Sequence, residues 1–162
     1  MSHTAYIGVG TNLGDRIANF RKAVGLIGEV PETRVTRQSS LYESEPHGKA
    51  RNWFINGVVE ISTEIDAKVL LKHLQKIETD MGRKKTTSTV SRVIDLDILL
   101  FNGQVIETRT LKIPHPELPN RRFVLMPLSE LAPALRHPVT SQTISTLSVT
   151  TKDTTKVTLF KS

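Results

Sequence analysis

Two acidic residues, Asp95 and Asp97, lie one apolar residue apart within the most apolar run of the chain, residues 93–101. Such a run is typical of a buried β-strand. Residues two apart on a strand share a face, so both carboxylates would project together, with their Cβ atoms roughly 7 Å apart. The alternate residues expected on the opposite, core-facing side are Ile94, Leu96, Ile98 and Leu100.

The acid pair predicts a cation at this strand. Two carboxylates in so apolar a segment are costly to bury without a positive partner. Their hard oxygens suit Mg²⁺, which commonly binds phosphate substrates through one or two carboxylates. The alternative is that Asp95 and Asp97 pair with a nearby arginine such as Arg92 and bind no metal. Spacing alone leaves both open.

Basic residues surround the acid pair in the sequence. A pair of acids within a basic surround is what phosphoryl transfer requires, since a metal bridges the phosphates and guanidinium groups take developing charge. The alternative is a solvated basic loop. The residues concerned are Arg83, Lys84, Lys85 and Arg92, with Arg121 and Arg122 downstream.

Three further features carry weaker signals. Residues 8–14 form a glycine-rich segment that matches neither a P-loop nor the dinucleotide fingerprint. Gln75 and Glu78 lie three apart on a predicted helix, where they could face a ligand or form an exposed polar face. His115, between two prolines, is the histidine best placed for a functional role, although a histidine in a turn is usually structural.

Hydrophobic periodicity predicts the order strand, helix, strand, strand, helix, strand. This is the ferredoxin-like βαββαβ pattern of the α+β class, with an antiparallel sheet, helices on one face and C-terminal additions. Asp15 or Asn12 is expected to cap the first helix and Asp66 the second. The predicted strands are residues 5–9, 35–43, 53–61, 93–101, 104–111 (after an Asn102-Gly103 hairpin turn) and 156–160, with a short helix at 128–131.

Length and composition indicate one domain, residues 1–162. The chain has no cysteine, no apolar run of membrane-spanning length and no visible secretory signal, so a soluble cytoplasmic protein is expected. The net charge of +6 favours a polyanionic partner. Such a partner could be a nucleotide triphosphate or RNA, but the aromatic motif of RNA-binding ferredoxin-like domains is absent.

Taken together, these segments resemble the 6-hydroxymethyl-7,8-dihydropterin pyrophosphokinase family of folate biosynthesis. The similarity spans residues 5 to about 138, and the ordered combination is far more specific than any single part. It rests on residues 6–14 (YIGVGTNLG), 92–99 (RVIDLDIL), 114–115 (PH) and 120–123 (NRRF).

The resemblance implies a magnesium-dependent transfer of pyrophosphate from ATP to a pterin alcohol, with release of AMP. Asp95 and Asp97 would hold two Mg²⁺ ions, and Arg83 and Arg92 would complete the catalytic set. The implied ATP-binding residues are Gln75, Glu78, Arg83, Lys85, Arg92, Ile98, His115 and Arg121.

The implied pterin site places the ring between Phe54 and Phe123, with Asn56 hydrogen-bonded to its edge. Ser44, Pro46, Gly48 and Asp95 complete the predicted pocket. The partners would be these two small molecules, with no nucleic acid or membrane, and the protein would be a monomer. The alternatives are a relative that binds nucleotide without turnover and a basic ferredoxin-like module that binds RNA.

Overall fold

The computed structural model describes residues 2–46, 52–82 and 93–161. Across these ranges, no helix is both long and apolar enough to span a membrane. The strands are β1 (His3–Thr11), β2 (Thr33–Gln38), β3 (Tyr42–Ser44), β4 (Phe54–Thr63), β5 (Asp95–Phe101), β6 (Ile106–Glu107), β7 (Lys112–Ile113) and β8 (Val157–Leu159). The α-helices are α1 (Arg16–Gly28), α2 (Ala67–Asp80), α3 (Arg122–Leu131) and α4 (Ile144–Thr150).

The main sheet has the order β5-β1-β4-β3-β8, with β2 also paired to β4, and every pairing is antiparallel. β6 and β7 form a separate two-stranded ribbon. The predicted strand at 35–43 is therefore two strands, β2 and β3, which pair with different parts of β4.

The first core lies between one face of the sheet and the helices α1 and α2. Phe20 and Leu74 reach it from the two helices and are almost fully buried. Both predicted N-caps are confirmed: Asp15 accepts a hydrogen bond from the Ala18 N–H (3.1 Å), and Asp66 from the Val69 N–H (2.9 Å). Each cap satisfies a donor that the first turn leaves unpaired.

The second core lies on the opposite face of the sheet, under α3 and α4. Leu125 and Leu128 of α3 pack there with Val58 of β4 and Tyr6 of β1. The α+β class with an antiparallel sheet is confirmed; α1 and α2 lie on one face, and the C-terminal helices α3 and α4 lie on the other. The C-terminal helices cover the part of the second face where the strands carry apolar side chains: Tyr6, Val58, Leu99 and Leu100.

A β-bulge in β5 changes the predicted alternation. Ile7 pairs with Ile98, but the next residue back, Tyr6, pairs with Leu100, which leaves Leu99 as an extra residue. Leu99 and Leu100 both pack in the second core, whereas Ile98 lies in the first. The prediction that Leu100 shares the face of Ile98 is wrong, because a bulge shifts every later side chain to the other face.

Three other local predictions differ from the structure. Asn102 and Gly103 form a turn closed by the Gln104 N–H and the Phe101 carbonyl (3.1 Å), but β6 beyond it pairs with β7 rather than β5. The helix predicted at 128–131 begins six residues earlier, at Arg122. The Ser/Thr-rich tail contains α4, which was not predicted, before the expected last strand β8.

We expect Gly57→Ala to destabilise the protein by about 1–3 kcal/mol, because it overpacks the first core. A Cβ at Gly57 would lie 2.6 Å from Phe20 Cζ, and this ring is fully buried. Gly25→Ala is the matched control: a Cβ at Gly25 would meet nothing within 4 Å, so a gain of about 0.5–1 kcal/mol is expected from helix propensity. Urea unfolding measures both, and Phe20→Leu should relieve part of the Gly57→Ala loss. Strict additivity in the double variant would contradict the clash.

We expect Glu60 to make stability depend on acid pH. The Arg37 guanidinium donates to both carboxylate oxygens (2.7 and 3.1 Å), and the Tyr6 hydroxyl donates to one (2.6 Å). Chiefly through Arg37, the pKa of Glu60 is lowered from 4.5 to about 2. The stabilisation is therefore present above 4.5 and is lost as the pH falls towards 2.

The measurement is the free energy of unfolding at about pH 6 and about pH 3 for the parent and Glu60→Gln. The parent should lose more stability than the variant over this interval, because only the parent takes up a proton at this carboxyl on unfolding. Equal losses in the two proteins would show that Glu60 does not contribute.

Candidate active site

A cavity of about 550 Å³ opens on the second face of the sheet, beside α3. Its floor is formed by β1, β4 and β5, and its sides by residues of α2, α3 and the segment before α3. Ten of the predicted site residues line it: Ser44, Phe54, Asn56, Gln75, Glu78, Asp95, Asp97, His115, Arg121 and Phe123.

Two glycines of β1 make room for this cavity. Gly10 pairs with Asp95, and Gly8 pairs with Asp97, so each carboxylate lies beside a residue without a side chain. A Cβ at Gly10 would lie 3.0 Å from Asn56 Oδ1. A Cβ at Gly8 would lie 3.4 Å from Leu99, so the first two glycines of this segment, which is partly strand, let Leu99 and Asn56 pack closely against β1 beside the acids.

Asp95 and Asp97 project from the start of β5 onto the cavity side, as their spacing predicts, and both are partly exposed. Between them, the Leu96 N–H donates to Glu78 Oε2 on α2 (2.8 Å), and Glu78 is buried. This bond satisfies the backbone donor that lies between the two acids. Glu78 therefore fastens α2 to the backbone that carries the two aspartates.

The acid pair has the chemistry of a magnesium site. Among the described residues, no group of three or more His, Cys, Asp or Glu side chains could hold a metal by itself. Mg²⁺ fits this arrangement, because it is usually held by one or two carboxylates plus water and substrate phosphates. Asp95 and Asp97 together supply such a donor set.

His115 is held at the cavity edge by the bulge in β5. Its backbone N–H donates to the Leu99 carbonyl (3.0 Å), and its Nδ1 accepts from the Glu117 N–H (3.1 Å). Nε2 then carries the proton of the neutral ring and lies 3.9 Å from Asp97 Oδ1. Burial, assisted by the charge of Arg121, lowers the pKa of His115.

The far wall of the cavity begins with Arg121, immediately before α3. Its guanidinium carbon lies 5.7 Å from the centre of the Phe123 ring, within range of a cation–π contact. Phe54, at the start of β4, lines the same cavity. The two aromatic residues therefore belong to different elements of the same cavity, Phe54 to β4 and Phe123 to α3.

Asn56 is oriented by Ser44. The Asn56 Nδ2 donates to Ser44 Oγ (2.6 Å), and both side chains are almost fully buried. Because the amide nitrogen is engaged, the carbonyl Oδ1 is the group that faces Gly10 and the cavity. Asn56 can therefore accept a hydrogen bond from a ligand.

The remaining predicted residues are placed as follows. Arg83, Lys85, Arg92 and Gly48 lie outside the described residues. Ile98 packs in the first core and is not among the residues that line the cavity. Pro46 is partly exposed and does not line the cavity. Arg122 does not line it either, and its guanidinium donates to the Thr155 carbonyl near the C-terminus (2.5 Å).

Sequence reasoning missed the lining contributed by Gly8, Gly10, Leu71, Leu99 and Val124. The glycines had a signal, since Gly8 and Gly10 share the two-residue spacing of Asp95 and Asp97. Leu99 had a signal too, because the two-residue period of a strand places it on the face of Asp95 and Asp97. Leu71 and Val124 follow ordinary helical spacing.

Comparison with known proteins agrees with the geometry. The family model of 7,8-dihydro-6-hydroxymethylpterin-pyrophosphokinase matches residues 6–133. The chain is 42% identical over 142 residues to the 2-amino-4-hydroxy-6-hydroxymethyldihydropteridine pyrophosphokinase of Bacillus subtilis, covering 87% of this chain and 85% of that one. It is 39% identical over 137 residues to the enzyme of that name from Aquifex aeolicus, covering 84% of each.

Larger proteins contain a similar unit. The folic acid synthesis protein fol1 of Schizosaccharomyces pombe is 42% identical over 85% of this chain, which spans 19% of that protein. The crystal structure of Plasmodium falciparum HPPK-DHPS with pteroate superposes with a TM-score of 0.74 at 18% identity. It covers 92% of this chain, which spans 42% of the Plasmodium chain, and this likeness shows the fold. By the family match and the identity to full-length relatives, the chain belongs to the 7,8-dihydro-6-hydroxymethylpterin-pyrophosphokinase family.

Proposed function

We propose that this protein transfers pyrophosphate from ATP to the hydroxymethyl group of 6-hydroxymethyl-7,8-dihydropterin, a step in folate biosynthesis. The observation that carries the proposal is a single cavity, in a chain of this family, that gathers the acid pair with two aromatic walls and a buried amide acceptor.

Asp95 and Asp97 are the proposed Mg²⁺ ligands, with two ions expected. When bound, the metal neutralises charge on the triphosphate and on the attacking and leaving oxygens. Glu78 supports the two aspartates by holding the Leu96 N–H between them (2.8 Å). This brace comes from a helix, so the carboxylates need little rearrangement when substrate arrives.

The nucleotide is proposed to bind along the side of the cavity formed by Gln75, Glu78, His115 and Arg121. The neutral His115 presents Nε2–H as a donor for a phosphate or ribose oxygen. Arg121 offers a guanidinium fork, which suits phosphate. The predicted roles of Arg83, Lys85 and Arg92 on the phosphates, and of Ile98 on the nucleotide, are retained as part of the proposal.

The pterin is proposed to stack between Phe54 and Phe123, with its donor edge against Asn56 Oδ1. Ser44 supports this contact by engaging the other half of the amide (2.6 Å). Asp95, with Pro46 and Gly48, is retained in the proposed pterin set. Aromatic walls favour a flat ring, and the amide selects its hydrogen-bonding edge.

In the proposed reaction, the pterin hydroxyl oxygen forms a bond to the β-phosphorus of ATP. The bond from that phosphorus to the α–β bridging oxygen breaks in line, AMP leaves with the bridging oxygen, and the hydroxyl proton is released. No covalent enzyme intermediate is required. The chain contributes positioning and charge, which are the main contributions a protein makes to phosphoryl transfer.

The test is product analysis with protein, ATP, Mg²⁺ and the pterin alcohol. Formation of AMP and the pterin pyrophosphate in equal amounts is expected, with no ADP. ATP binding by calorimetry without AMP formation would instead support a nucleotide-binding relative that has lost turnover. The protein is proposed to act as a cytoplasmic single-domain monomer, and light scattering of the folded chain tests the monomer.

A further inference from the structure

The helix that carries Phe123 is not capped by its own sequence. Arg121 occupies the N-cap position of α3, and its side chain makes no capping hydrogen bond. Most helices satisfy their first free amides with a Ser, Thr, Asp or Asn at that position. The start of α3 must therefore be stabilised from elsewhere, and it forms one wall of the cavity.

The missing cap comes from Asp153, 31 residues further along the chain. Its Oδ2 accepts from the Arg122 N–H (2.8 Å), the first amide of α3. Its Oδ1 accepts from the Thr155 N–H (3.0 Å) and hydroxyl (2.8 Å), which fixes the carboxylate in place. A negative charge at this end also interacts favourably with the helix dipole.

Two further bonds tie the same C-terminal segment, residues 151–160, to the start of α3. The Arg122 guanidinium donates to the Thr155 carbonyl (2.5 Å), and the Thr151 hydroxyl donates to the Pro119 carbonyl (2.9 Å). Phe123 directly follows Arg122, so its backbone is held on one side by this segment.

The C-terminal segment also holds the opposite side of the cavity. Its strand β8 pairs with β3, where Ser44 faces Val157. The Lys156 N–H donates to Glu45 Oε1 (2.8 Å), and the Glu45 N–H donates to the Lys156 carbonyl (3.1 Å). β3 in turn pairs with β4, where Ser44 lies opposite Phe54.

We propose that Asp153 is a positioning residue for the pterin: through the C-terminal segment it fixes Phe123 relative to the strands that carry Ser44 and Phe54. This inference rests on the proposed function. Asp153 itself touches no substrate in this scheme. Without the cap, α3 would fray at its first turn, and the binding-competent position of Phe123 would be only partly populated, which weakens apparent affinity by that fraction.

Asp153→Ala is the principal variant, with steady-state kinetics in pterin and in ATP. We expect KM for the pterin to rise about tenfold, the range that loss of a helix cap produces. KM for ATP should change less, because Gln75 and His115 lie on other elements and only Arg121, of the residues proposed to bind ATP, adjoins the start of α3. Asp153→Asn has an amide oxygen that can still accept from the Arg122 N–H. Its KM for the pterin should therefore lie between those of the parent and Asp153→Ala.

Thr143→Ala is the matched control, because Thr143 caps α4 by accepting from the Thr146 N–H (3.1 Å) and α4 does not line the cavity. It should lower thermal stability to a similar extent without changing the ratio of the two KM values. An equal change of this ratio in Thr143→Ala, or none in Asp153→Ala, would overturn the inference. If Asp153→Ala does not fold, Asp153→Asn and Arg122→Met carry the same comparison.

Failure of the proposed function is recognised separately, because the parent protein would then make no AMP.

Amide hydrogen exchange gives a readout that needs no activity. Asp153→Ala should speed exchange at Arg122 and Phe123 more than at Leu128, further along α3. Unchanged exchange at these first amides would show that α3 is held without Asp153.

Discussion

Asp97→Asn is expected to lower kcat for AMP formation about a thousandfold, the scale of several kcal/mol of lost charge stabilisation. The asparagine keeps the shape of the side chain but removes one of two carboxylates on the cavity floor. Its neutral oxygen is a poorer ligand for Mg²⁺. The variant should also need more Mg²⁺ for half-maximal rate, which a metal titration measures.

Asp80→Asn is the matched control for this result. Asp80 lies on the exposed end of α2 and pairs with Lys76 (2.8 Å), a surface ion pair of little expected value. The kcat and the Mg²⁺ dependence of Asp80→Asn should equal those of the parent. Parental activity in Asp97→Asn would refute the assignment of the acid pair, whereas a fall in both variants would point to a general charge effect.

The elements near this acid pair could be predicted because their periodicity is local. The buried stripes of α1 and α2 and both aspartate caps follow from residue spacing within one helix. The bulge at Leu99 could not be predicted, because it arises from how β5 pairs with Tyr6 and Ile7 on another strand. The same bulge supplies the carbonyl that holds His115.

The helix α4 shows a different limit. Its sequence, ISTLSVT, is dominated by β-branched and hydroxyl residues, which have low helix propensity. It forms because Thr143 caps it and because Ile144 and Leu147 pack in the second core. Tertiary packing outweighs local preference here, and a single sequence does not reveal that packing.

The candidate site likewise has features that local spacing predicts and features that depend on distant parts of the chain. The shared face of Phe54 and Asn56 and the shared face of the two aspartates follow from the two-residue period of a strand. That these pairs line one cavity depends on the β1–β4 and β1–β5 registers. The cap from Asp153 lies still further beyond local patterns, since 31 residues separate it from Arg122.

Asn56→Leu is expected to raise KM for the pterin about a hundredfold, because it leaves a ligand donor unpaired in a buried site. Leucine has a similar volume but cannot accept a hydrogen bond, and Asn56 is almost fully buried beside Gly10. Ser44→Ala should have a smaller effect, because Asn56 keeps its oxygen but loses the hydroxyl that orients the amide. Steady-state kinetics in each substrate provides the measurement.

The ATP side of the cavity serves as the internal reference for this prediction. KM for ATP should stay near the parental value in Asn56→Leu, since Gln75, His115 and Arg121 come from other elements. Gln104→Leu removes an amide from an exposed turn and should leave both constants unchanged. Equal increases in both KM values would indicate a collapsed cavity instead of a lost pterin contact. The assignment of Asn56 as an amide acceptor held in place by the Ser44 hydroxyl requires two results. KM for the pterin must rise while KM for ATP does not, and the rise must be larger in Asn56→Leu than in Ser44→Ala.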